Sequence, residues 1–359
     1  MPFADLRSAF PVLREYAYLN AGSCGPVPQA AAEAAGAAAL EQARSGRAGS
    51  AHWEAASERW ERLREGYAAW LGCDASDVAL TGSTTDGVNS VLNAMSLGAG
   101  DEVLTSDQEH PGVLTPLASL RERRGIVVRT VPFESIAAAV TDSTRLVAVS
   151  HVSWISGQVV DTAGLAAAPA PVLLDGAQGV GAIGVDVKAL GCDAYAGSGQ
   201  KWLCGPEGTG MIFLSALLRA RMTPPAPSYG ALEDPLRALD PAFHPDARAF
   251  DAYFPATPVS EWALTSMGIL AGPGIEATTA RGPVLAARLA GLLADAGREV
   301  VARGETTLVA WRSDDPAAEV ERLAAAGVLL RDLPGRGLVR ASVGAWNDES
   351  DLERLISSS

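Results

Sequence analysis

Short apolar strands alternate with helical segments through residues 60–215, and this alternation constrains the fold more than any other feature. Strands are predicted at VALT, in the segment that opens at Asp101, and in IVVRTVPF, RLVAVSH, PVLLD, DAYAGS and GMIFL. Helices are predicted between them, at about Thr84 to Met95 and Val113 to Glu122. Apolar strands separated by helices predict an α/β fold, with a largely parallel central sheet covered on both faces.

The rest of the chain divides into an irregular stretch and a second domain. Residues 222–260 are rich in Pro, Ala and Asp and have no clear period, so we interpret them as a long irregular crossing. Helices and strands resume at about residue 261, with helices predicted at Trp262–Leu270 and Gly282–Ala296. We therefore predict a large domain at 21–260, a smaller α+β domain at 261–359, and an N-terminal segment at 1–20 that packs with the small domain.

Charge and composition exclude several classes of protein. The 359 residues include 42 acidic and 28 basic side chains, for a net charge of −14, which argues against binding to nucleic acid or an anionic membrane. No run of apolar residues is long enough for a membrane span, and MPFADLRSAF does not resemble a signal peptide. The four cysteines are widely spaced and are expected to be free thiols in a cytoplasmic protein.

Lysine is almost missing from the sequence. Of the 28 basic residues, only Lys188 and Lys201 are lysines, which suggests that arginine has replaced lysine wherever it can. A lysine that remains can have a task that arginine cannot perform, such as forming an imine with a carbonyl group.

Lys201 follows a strand and two glycines in AYAGSGQKWLCGPEGTG. The glycines allow the backbone to approach a ligand, and the following Gly-Pro-Glu-Gly-Thr-Gly turn holds the lysine in place. A lone salt bridge is the alternative interpretation of Lys201. Lys188, in VDVKALG, is predicted to be an ordinary exposed helix lysine.

Asp175 ends the apolar strand in PVLLDGAQGVGAIGV, and Gln178 follows three residues later. Ligands in open α/β sheets bind at this end of the strands, and a carboxylate in an apolar setting needs a partner. Gln178 could be aimed at the same ligand by a tight turn. The alternative is that Asp175 caps the next helical turn.

Two further stretches place polar groups after predicted strands. ALTGSTTDGVNSVLNAM runs from strand to small-residue turn to helix, so the helix amides and the hydroxyls of Ser83, Thr84 and Thr85 could bind an anion. The stretch lacks both nucleotide fingerprints, so a monophosphate fits better than a nucleotide. In TSDQEHPGVL, His110 follows a strand and could stack on a planar ring or move a proton. Simple helix capping and a surface-loop histidine are the respective alternatives.

Taken together, these stretches describe a site for pyridoxal 5′-phosphate (PLP): a lysine for an imine, an aspartate for the pyridine nitrogen, a phosphate cradle and a stacking imidazole. The order TGSTTDGVN, EHPG, SHVSWISGQ, DGAQ, SGQKW, GPEGTG and VRAS resembles the class V aminotransferase-fold enzymes, in the cysteine desulfurase group. The resemblance covers nearly the whole chain and implies the PLP-dependent transferase fold of type I.

The resemblance implies a role for each matched residue near the cofactor. It makes Lys201 the Schiff-base lysine, Asp175 the partner of the pyridine nitrogen, Gln178 the partner of the phenolic oxygen and His110 the residue stacked on the ring. It places the phosphate between hydroxyls and amides of this set: Ser83, Thr84, Thr85, Ser198 and Gln200. Gln200 stands where desulfurases usually carry a histidine.

The resemblance also implies a substrate side and a homodimer. Arg340 matches the arginine that binds the substrate α-carboxylate, and Asn20 and Trp154 are expected beside it. Arg331 precedes the loop that leads to Arg340 and is expected to matter less. Thr257, in PATP, resembles a phosphate contact supplied by the partner subunit, which implies a homodimer with shared active sites.

Two departures from the desulfurase pattern indicate which branch of this family the chain resembles. GVLLRDLPGRGLVRAS holds no cysteine where desulfurases carry their nucleophile, and Cys204 on another loop is interpreted as packing. Trp154 occupies a position often held by asparagine in desulfurases. The pattern is most similar to the cysteine/cystine C–S lyases, followed by isopenicillin N epimerase-like proteins. The expected reaction is β-elimination from a cysteine derivative such as cystine. An amino-acid epimerase, an aminotransferase and a cofactor-binding protein without turnover remain as alternatives.

Overall fold

Helices and strands alternate along residues 2–358, the part of the chain that the computed structural model describes. The helices are α1 (Phe3–Ser8), α2 (Gln29–Ser45), α3 (Ser50–Leu71), α4 (Thr84–Ala94), α5 (Pro111–Arg124), α6 (Thr162–Ala166), α7 (Val187–Leu190), α8 (Ala216–Arg219), α9 (Thr257–Ala271), α10 (Ile275–Asp295), α11 (Pro316–Ala325) and α12 (Glu349–Ser357). The strands are β1 (Ala17–Tyr18), β2 (Val78–Thr81), β3 (Glu102–Ser106), β4 (Val127–Val131), β5 (Thr144–Ser150), β6 (Val172–Asp175), β7 (Ala194–Ser198), β8 (Gly210–Leu214), β9 (Leu308–Arg312), β10 (Val328–Leu329), β11 (Arg331–Leu333) and β12 (Leu338–Ser342). Within this range, no helix has both the length and the apolar character needed to cross a membrane.

The central sheet has seven strands in the order β2-β8-β7-β6-β5-β3-β4. All neighbours are parallel except for β8, which runs antiparallel to both β2 and β7. The predicted α/β class with a mostly parallel sheet is therefore confirmed. Because the other strands share one direction, their carboxyl ends meet at one edge of the sheet, where open α/β folds bind ligands.

Apolar side chains cover both faces of this sheet. Every residue of β6 is buried, and its alternate residues enter different cores: Leu174 shares a core with residues of α6 and α7, whereas Leu173 shares one with residues of α4 and α5. This period of two is the one that a strand imposes on its side chains. The continuous apolar run in PVLLD is explained in the same way, since a doubly covered strand needs apolar residues on both sides.

The C-terminal part of the chain forms a second, smaller layer. Strands β11, β12 and β9 make an antiparallel sheet in that order, and residues of α10, α11 and α12 pack on it around Trp311. The N-terminal segment lies against this layer, because β1 pairs in parallel with β10 and Arg7 binds the carboxylate of Asp351 at 2.7 Å.

The predicted domain boundary between residues 260 and 261 falls inside helix α9, which runs unbroken from Thr257 to Ala271. Because α9 packs mainly against α2 and α3, we propose that the small domain begins at α10. The sequence predicted this helix only from Trp262; its true start has a proline in the first turn, after Thr257, a common way for a helix to begin.

Helix α2 is an element that the sequence analysis did not predict. Its run of alanines has high intrinsic helix propensity but lacks the apolar period by which buried helices are recognised. By contrast, the irregular crossing predicted at 222–260 is confirmed up to residue 256, where the chain forms short 3₁₀ turns and one isolated bridge between Leu232 and Phe243. A buried ion pair between Arg64 and Asp251 ties this crossing to the large domain.

Candidate active site

The carboxyl ends of β2, β3, β5, β6 and β7 open onto one cavity of about 260 Å³. Residues from these strand ends, from the N-terminal segment and from β11 and β12 line it: Gly22, Ser23, Ser83, Thr84, Thr85, His110, Trp154, Asp175, Ala177, Gln178, Ser198, Gln200, Lys201, Arg331 and Arg340. Residues far apart in sequence meet here because parallel strands deliver their following loops to the same edge.

Lys201 projects into this cavity from the loop after β7. Burial lowers the pKa of its amine, a shift that the carboxylate of Asp175 opposes and the guanidinium of Arg340 reinforces. No carboxylate among residues 2–358 lies within salt-bridge distance of its ammonium group, so the lone salt bridge considered for this residue does not occur. Lys188, in contrast, is exposed and pairs with Asp74 at 2.6 Å, as expected for a surface lysine.

Asp175 is the last residue of β6, and Gln178 stands on the turn that follows. One carboxylate oxygen of Asp175 accepts the amide hydrogen of Ala177 at 2.9 Å, so the residue caps its turn and lines the cavity as well. The side-chain oxygen of Gln178 accepts from the indole of Trp202, and its nitrogen donates to the carbonyl of Gly22. Because an indole N–H can only donate, the amide orientation is determined, and one amide hydrogen stays available.

The turn between β2 and α4 supplies hydroxyl groups beside the start of a helix. Ser83 caps α4 by accepting the amide hydrogen of Asp86 at 3.1 Å. The hydroxyls of Thr84 and Ser198 are buried and have no hydrogen-bond partner in the described part of the chain. A buried hydroxyl without a partner is costly, so a ligand with acceptor oxygens would satisfy both groups.

His110 caps helix α5 and meets Trp154 edge to face, with ring centroids 5.3 Å apart. Its Nδ1 accepts the amide hydrogen of Gly112 at 3.0 Å, so the neutral ring carries its proton on Nε2. Partial burial and the positive charge of Lys201 lower the pKa of His110. The ring is therefore neutral at neutral pH, which suits stacking on a planar ligand.

Arg340 is almost fully buried, with 1% of its surface exposed. Its Nη1 donates to the carbonyl of Trp154 at 2.6 Å, whereas Nε and Nη2 have no partner within residues 2–358. Burial lowers its pKa to about 9, so the guanidinium remains charged at neutral pH. Nε and Nη2 point the same way and form a free fork for a carboxylate.

Arg331, which is expected to matter less than Arg340, also lines this cavity. In the antiparallel pair of β11 and β12, Arg331 lies directly opposite Arg340, so both side chains leave the sheet on the same face. The sequence held a signal for this: two arginines that flank a short Leu-Pro-Gly-Arg-Gly turn in a predicted strand region.

Two predicted site residues do not line the cavity. Thr257 begins helix α9, and Asn20 pairs with Ser342 and accepts the hydroxyl hydrogen of Ser23. Sequence reasoning missed Gly22 and Ser23, because the local pattern gives no sign that the N-terminal segment reaches the sheet edge. It also missed Ala177, an apolar residue between Asp175 and Gln178. Cys204 is buried among apolar side chains, and its role in packing stays a prediction.

The donor set fits PLP. The unpartnered hydroxyls of Thr84 and Ser198 suit a phosphate at the start of α4, and Asp175 presents a carboxylate to a ring nitrogen. Lys201, without a carboxylate partner, is available for an imine, and the free fork of Arg340 suits the α-carboxylate of an amino acid.

Comparisons with known proteins agree with this geometry. The profile of the class-V aminotransferase family matches residues 17–237. A probable cysteine desulfurase of Methanothermobacter thermautotrophicus is 31% identical over 233 residues, which cover 61% of this chain and 58% of the relative. A cysteine desulfurase of Salmonella gallinarum is 36% identical over 185 residues, 47% of this chain and 45% of the relative. The chain thus spans about half the length of the curated relatives that it matches.

Solved structures extend the similarity to the whole fold. The cystine C–S lyase C-DES, in complex with its reaction product cysteine persulfide, superposes with a TM-score of 0.90 at 25% identity, over 97% of this chain and 98% of that one. The cysteine desulfurase CsdA of Escherichia coli has a TM-score of 0.84 at 25% identity, over 100% of this chain and 97% of that one. With a matched family profile and a donor set that fits the cofactor, the chain belongs to the class V aminotransferase family of PLP-dependent enzymes.

Proposed function

We propose that the chain is a carbon–sulfur lyase that eliminates the sulfur group from cystine or another S-substituted cysteine. The observation that carries the proposal is a cavity that combines Lys201, Asp175 and the free fork of Arg340, while residues 327–342 hold no cysteine. Persulfide formation on a cysteine of residues 327–342 is therefore impossible. The resemblance to the cystine C–S lyase C-DES over nearly the whole chain supports the same reaction.

The residues that would hold PLP are those that the sequence predicted around the cofactor. Thr84 and Ser198 would donate hydroxyl hydrogens to its phosphate, Asp175 would pair with its ring nitrogen, and the neutral ring of His110 would lie on its face. Lys201 would carry it covalently. When bound, PLP supplies an electron sink that stabilises negative charge at the substrate α-carbon.

Arg340 would bind and orient the substrate. Its Nε and Nη2 would donate two parallel hydrogen bonds to the α-carboxylate, while Trp154 holds Nη1 in place. Two-point binding of the carboxylate fixes the direction of the α C–H bond relative to Lys201.

Once the amine of the substrate had taken the place of its own, Lys201 would be a free amine and would move the proton. Burial and Arg340 lower the pKa of its amine, so more of it is neutral and able to take the α-proton than in a surface lysine. The bond between the β-carbon and sulfur then breaks, and sulfur leaves with the electron pair as a thiolate or, from cystine, as a persulfide. Water converts the remaining three-carbon fragment to pyruvate and ammonia.

Arg331 favours a substrate with a second anionic group. It faces the same cavity as Arg340, and its Nη1 is 3.4 Å from the hydroxyl of Ser23. Two guanidinium groups in one small cavity repel each other unless anions lie between them. Cystine carries two carboxylates, so it matches both arginines, whereas an S-alkylcysteine matches only Arg340.

Offering three substrate sets to the purified holoenzyme tests the proposal: cystine, S-methylcysteine, and alanine with a 2-oxo acid. Pyruvate released from the first two, with cystine preferred, is the expected result. Inversion of the α-carbon without pyruvate would make the protein an epimerase, and amino transfer in the third set would make it an aminotransferase. Either outcome would replace the lyase assignment.

We also propose a homodimer with shared active sites. Thr257 does not line the cavity of its own subunit, yet it begins a helix after a chain segment with exposed apolar side chains, Leu236 and Leu239. A second subunit would cover such side chains and could bring Thr257 to the phosphate of the neighbouring site.

A further inference from the structure

Residues 20–25, which we call the N-terminal strap, form one wall of the cavity and tie the two domains together. Asn20 pairs with Ser342 at the end of β12, and the carbonyl of Gly22 accepts the amide hydrogen of Gln178 at 2.9 Å. The strap therefore touches the small domain on the substrate side and the large domain on the cofactor side.

Gly22 lies closer to its neighbours than any other amino acid could. A Cβ at this position would be 2.7 Å from the Ser342 hydroxyl, 2.8 Å from Nη2 of Arg340 and 3.1 Å from the side-chain oxygen of Gln178. Ordinary contacts of a Cβ are 3.4–4 Å. The backbone of Gly22 is outside the left-handed region, so close approach, and not its conformation, requires glycine here.

A side chain at Gly22 would press on Arg340 as well as on the shorter side chain of Ser342. Nη2 is the far end of a flexible side chain, and it is one of the two donors that lack a partner in the described chain. Nη1 is held by the carbonyl of Trp154 at 2.6 Å, so a displaced guanidinium would pivot about this bond and turn its fork. The protein would remain folded while the fork loses its direction.

We propose that Gly22 is a specificity-determining residue: the missing side chain keeps the fork of Arg340 open, so that the site selects ligands with an α-carboxylate. The inference rests on the proposed function, in which Arg340 binds that carboxylate. Gly22 acts through Arg340 as a positioning residue and need not touch the reacting atoms.

The test compares Gly22→Ala with Gly36→Ala. Gly36 lies in helix α2, where a methyl group would point into open space, so it is a matched control. Equilibrium binding of glycine and of methylamine to each holoenzyme is followed by the cofactor absorbance. Methylamine shares the amine but has no carboxylate, so only glycine binding should depend on Arg340.

We expect Gly22→Ala to weaken glycine binding at least about tenfold, which is roughly the loss of one charge-assisted hydrogen bond, with methylamine binding and Tm unchanged. Gly36→Ala should bind both ligands like the wild type. Three results would each overturn the inference: a glycine affinity of Gly22→Ala equal to that of the wild type, an equal loss of affinity for glycine and methylamine, or a large fall in the Tm of Gly22→Ala. A wild-type protein that binds no glycine would instead contradict the proposed function.

Discussion

A single amine decides where the cofactor is attached. Lys201 and Lys188 are the two lysines of the chain, and they differ in setting: Lys201 lines the cavity, whereas Lys188 is exposed and bound to Asp74. Reduction of the holoenzyme with borohydride, followed by peptide mass spectrometry, should therefore locate the cofactor on Lys201 alone. Lys201→Ala should lose the attached cofactor and Lys188→Ala should keep it. Cofactor found on Lys188 would contradict the site.

Variants of Arg340 and Arg331 should affect two classes of substrate differently. Arg340→Ala should weaken the binding of every α-amino acid. Arg340→Lys should not restore this binding, because an ammonium group cannot replace the fork. Arg331→Ala should raise KM for cystine at least about tenfold and leave S-methylcysteine nearly unchanged, since only cystine has a second carboxylate. Steady-state kinetics with both substrates measures this. Equal losses for the two substrates would remove the second-carboxylate role of Arg331.

At the scale of the element, a buried carboxylate joins the carboxyl ends of two strands. Glu109, next to His110, accepts hydrogen bonds from the hydroxyl of Ser106 at 2.5 Å and from the amide and hydroxyl of Ser150 at 2.8 and 2.6 Å. Burial raises its pKa to about 7, although these hydrogen bonds oppose the shift. The link between β3 and β5 therefore holds His110 at the sheet edge. It does so through a buried carboxyl group whose ionisation is unfavourable.

The sign of this shift predicts how stability depends on pH. Because the pKa is higher in the folded than in the unfolded chain, the contribution of Glu109 is complete below pH 4.5 and is lost as the pH rises through about 7. Between about pH 5.5 and 7.5, Tm should fall more in the wild type than in Glu109→Gln, which cannot ionise. Parallel curves in thermal melts would show that Glu109 titrates at its ordinary pKa.

A second element-scale prediction concerns the ion pair that holds the irregular crossing. Arg64 and Asp251 are each 2% exposed and form two hydrogen bonds, at 2.9 and 2.7 Å. Arg64→Ala leaves a buried carboxylate without its partner, so the free energy of unfolding should fall by about 3–5 kcal/mol.

The matched control for this pair is Arg312→Ala on the surface. Arg312 and Glu299 form an exposed ion pair at 2.8 Å, and such pairs contribute less than about 1 kcal/mol. Urea unfolding monitored by circular dichroism compares the two variants. Similar losses in both would mean that the buried pair does not anchor the crossing.

At the scale of the whole molecule, shared active sites can be tested by mixing subunits. If Thr257 serves the neighbouring site, a dimer of one Lys201→Ala and one Thr257→Ala subunit contains one complete site and one doubly altered site. Remixing the two variants at limiting cofactor should recover about a quarter of wild-type activity, since half of the dimers are mixed. No recovery, or a monomer in light scattering, would contradict the shared-site dimer.

Much of the site could be predicted from local sequence because it stands on strand ends. Lys201, Asp175 and His110 each lie at or just after the end of an apolar strand, and parallel strands bring such positions together whatever the details of packing. Helix α2 and the start of α9 escaped prediction since one lacks an apolar period and the other begins in polar residues.

By itself, the sequence determined the alternation of strands and helices in the large domain from α4 onward, the cofactor class and the residues at the end of each strand, because these depend on short-range patterns. Only the tertiary structure decided that Arg331 lies opposite Arg340 and that Gly22 packs against both Arg340 and Ser342. These contacts join segments more than three hundred residues apart or depend on the register of one hairpin, and no local period records either. The shape of the substrate pocket follows from such contacts, so it required the folded chain.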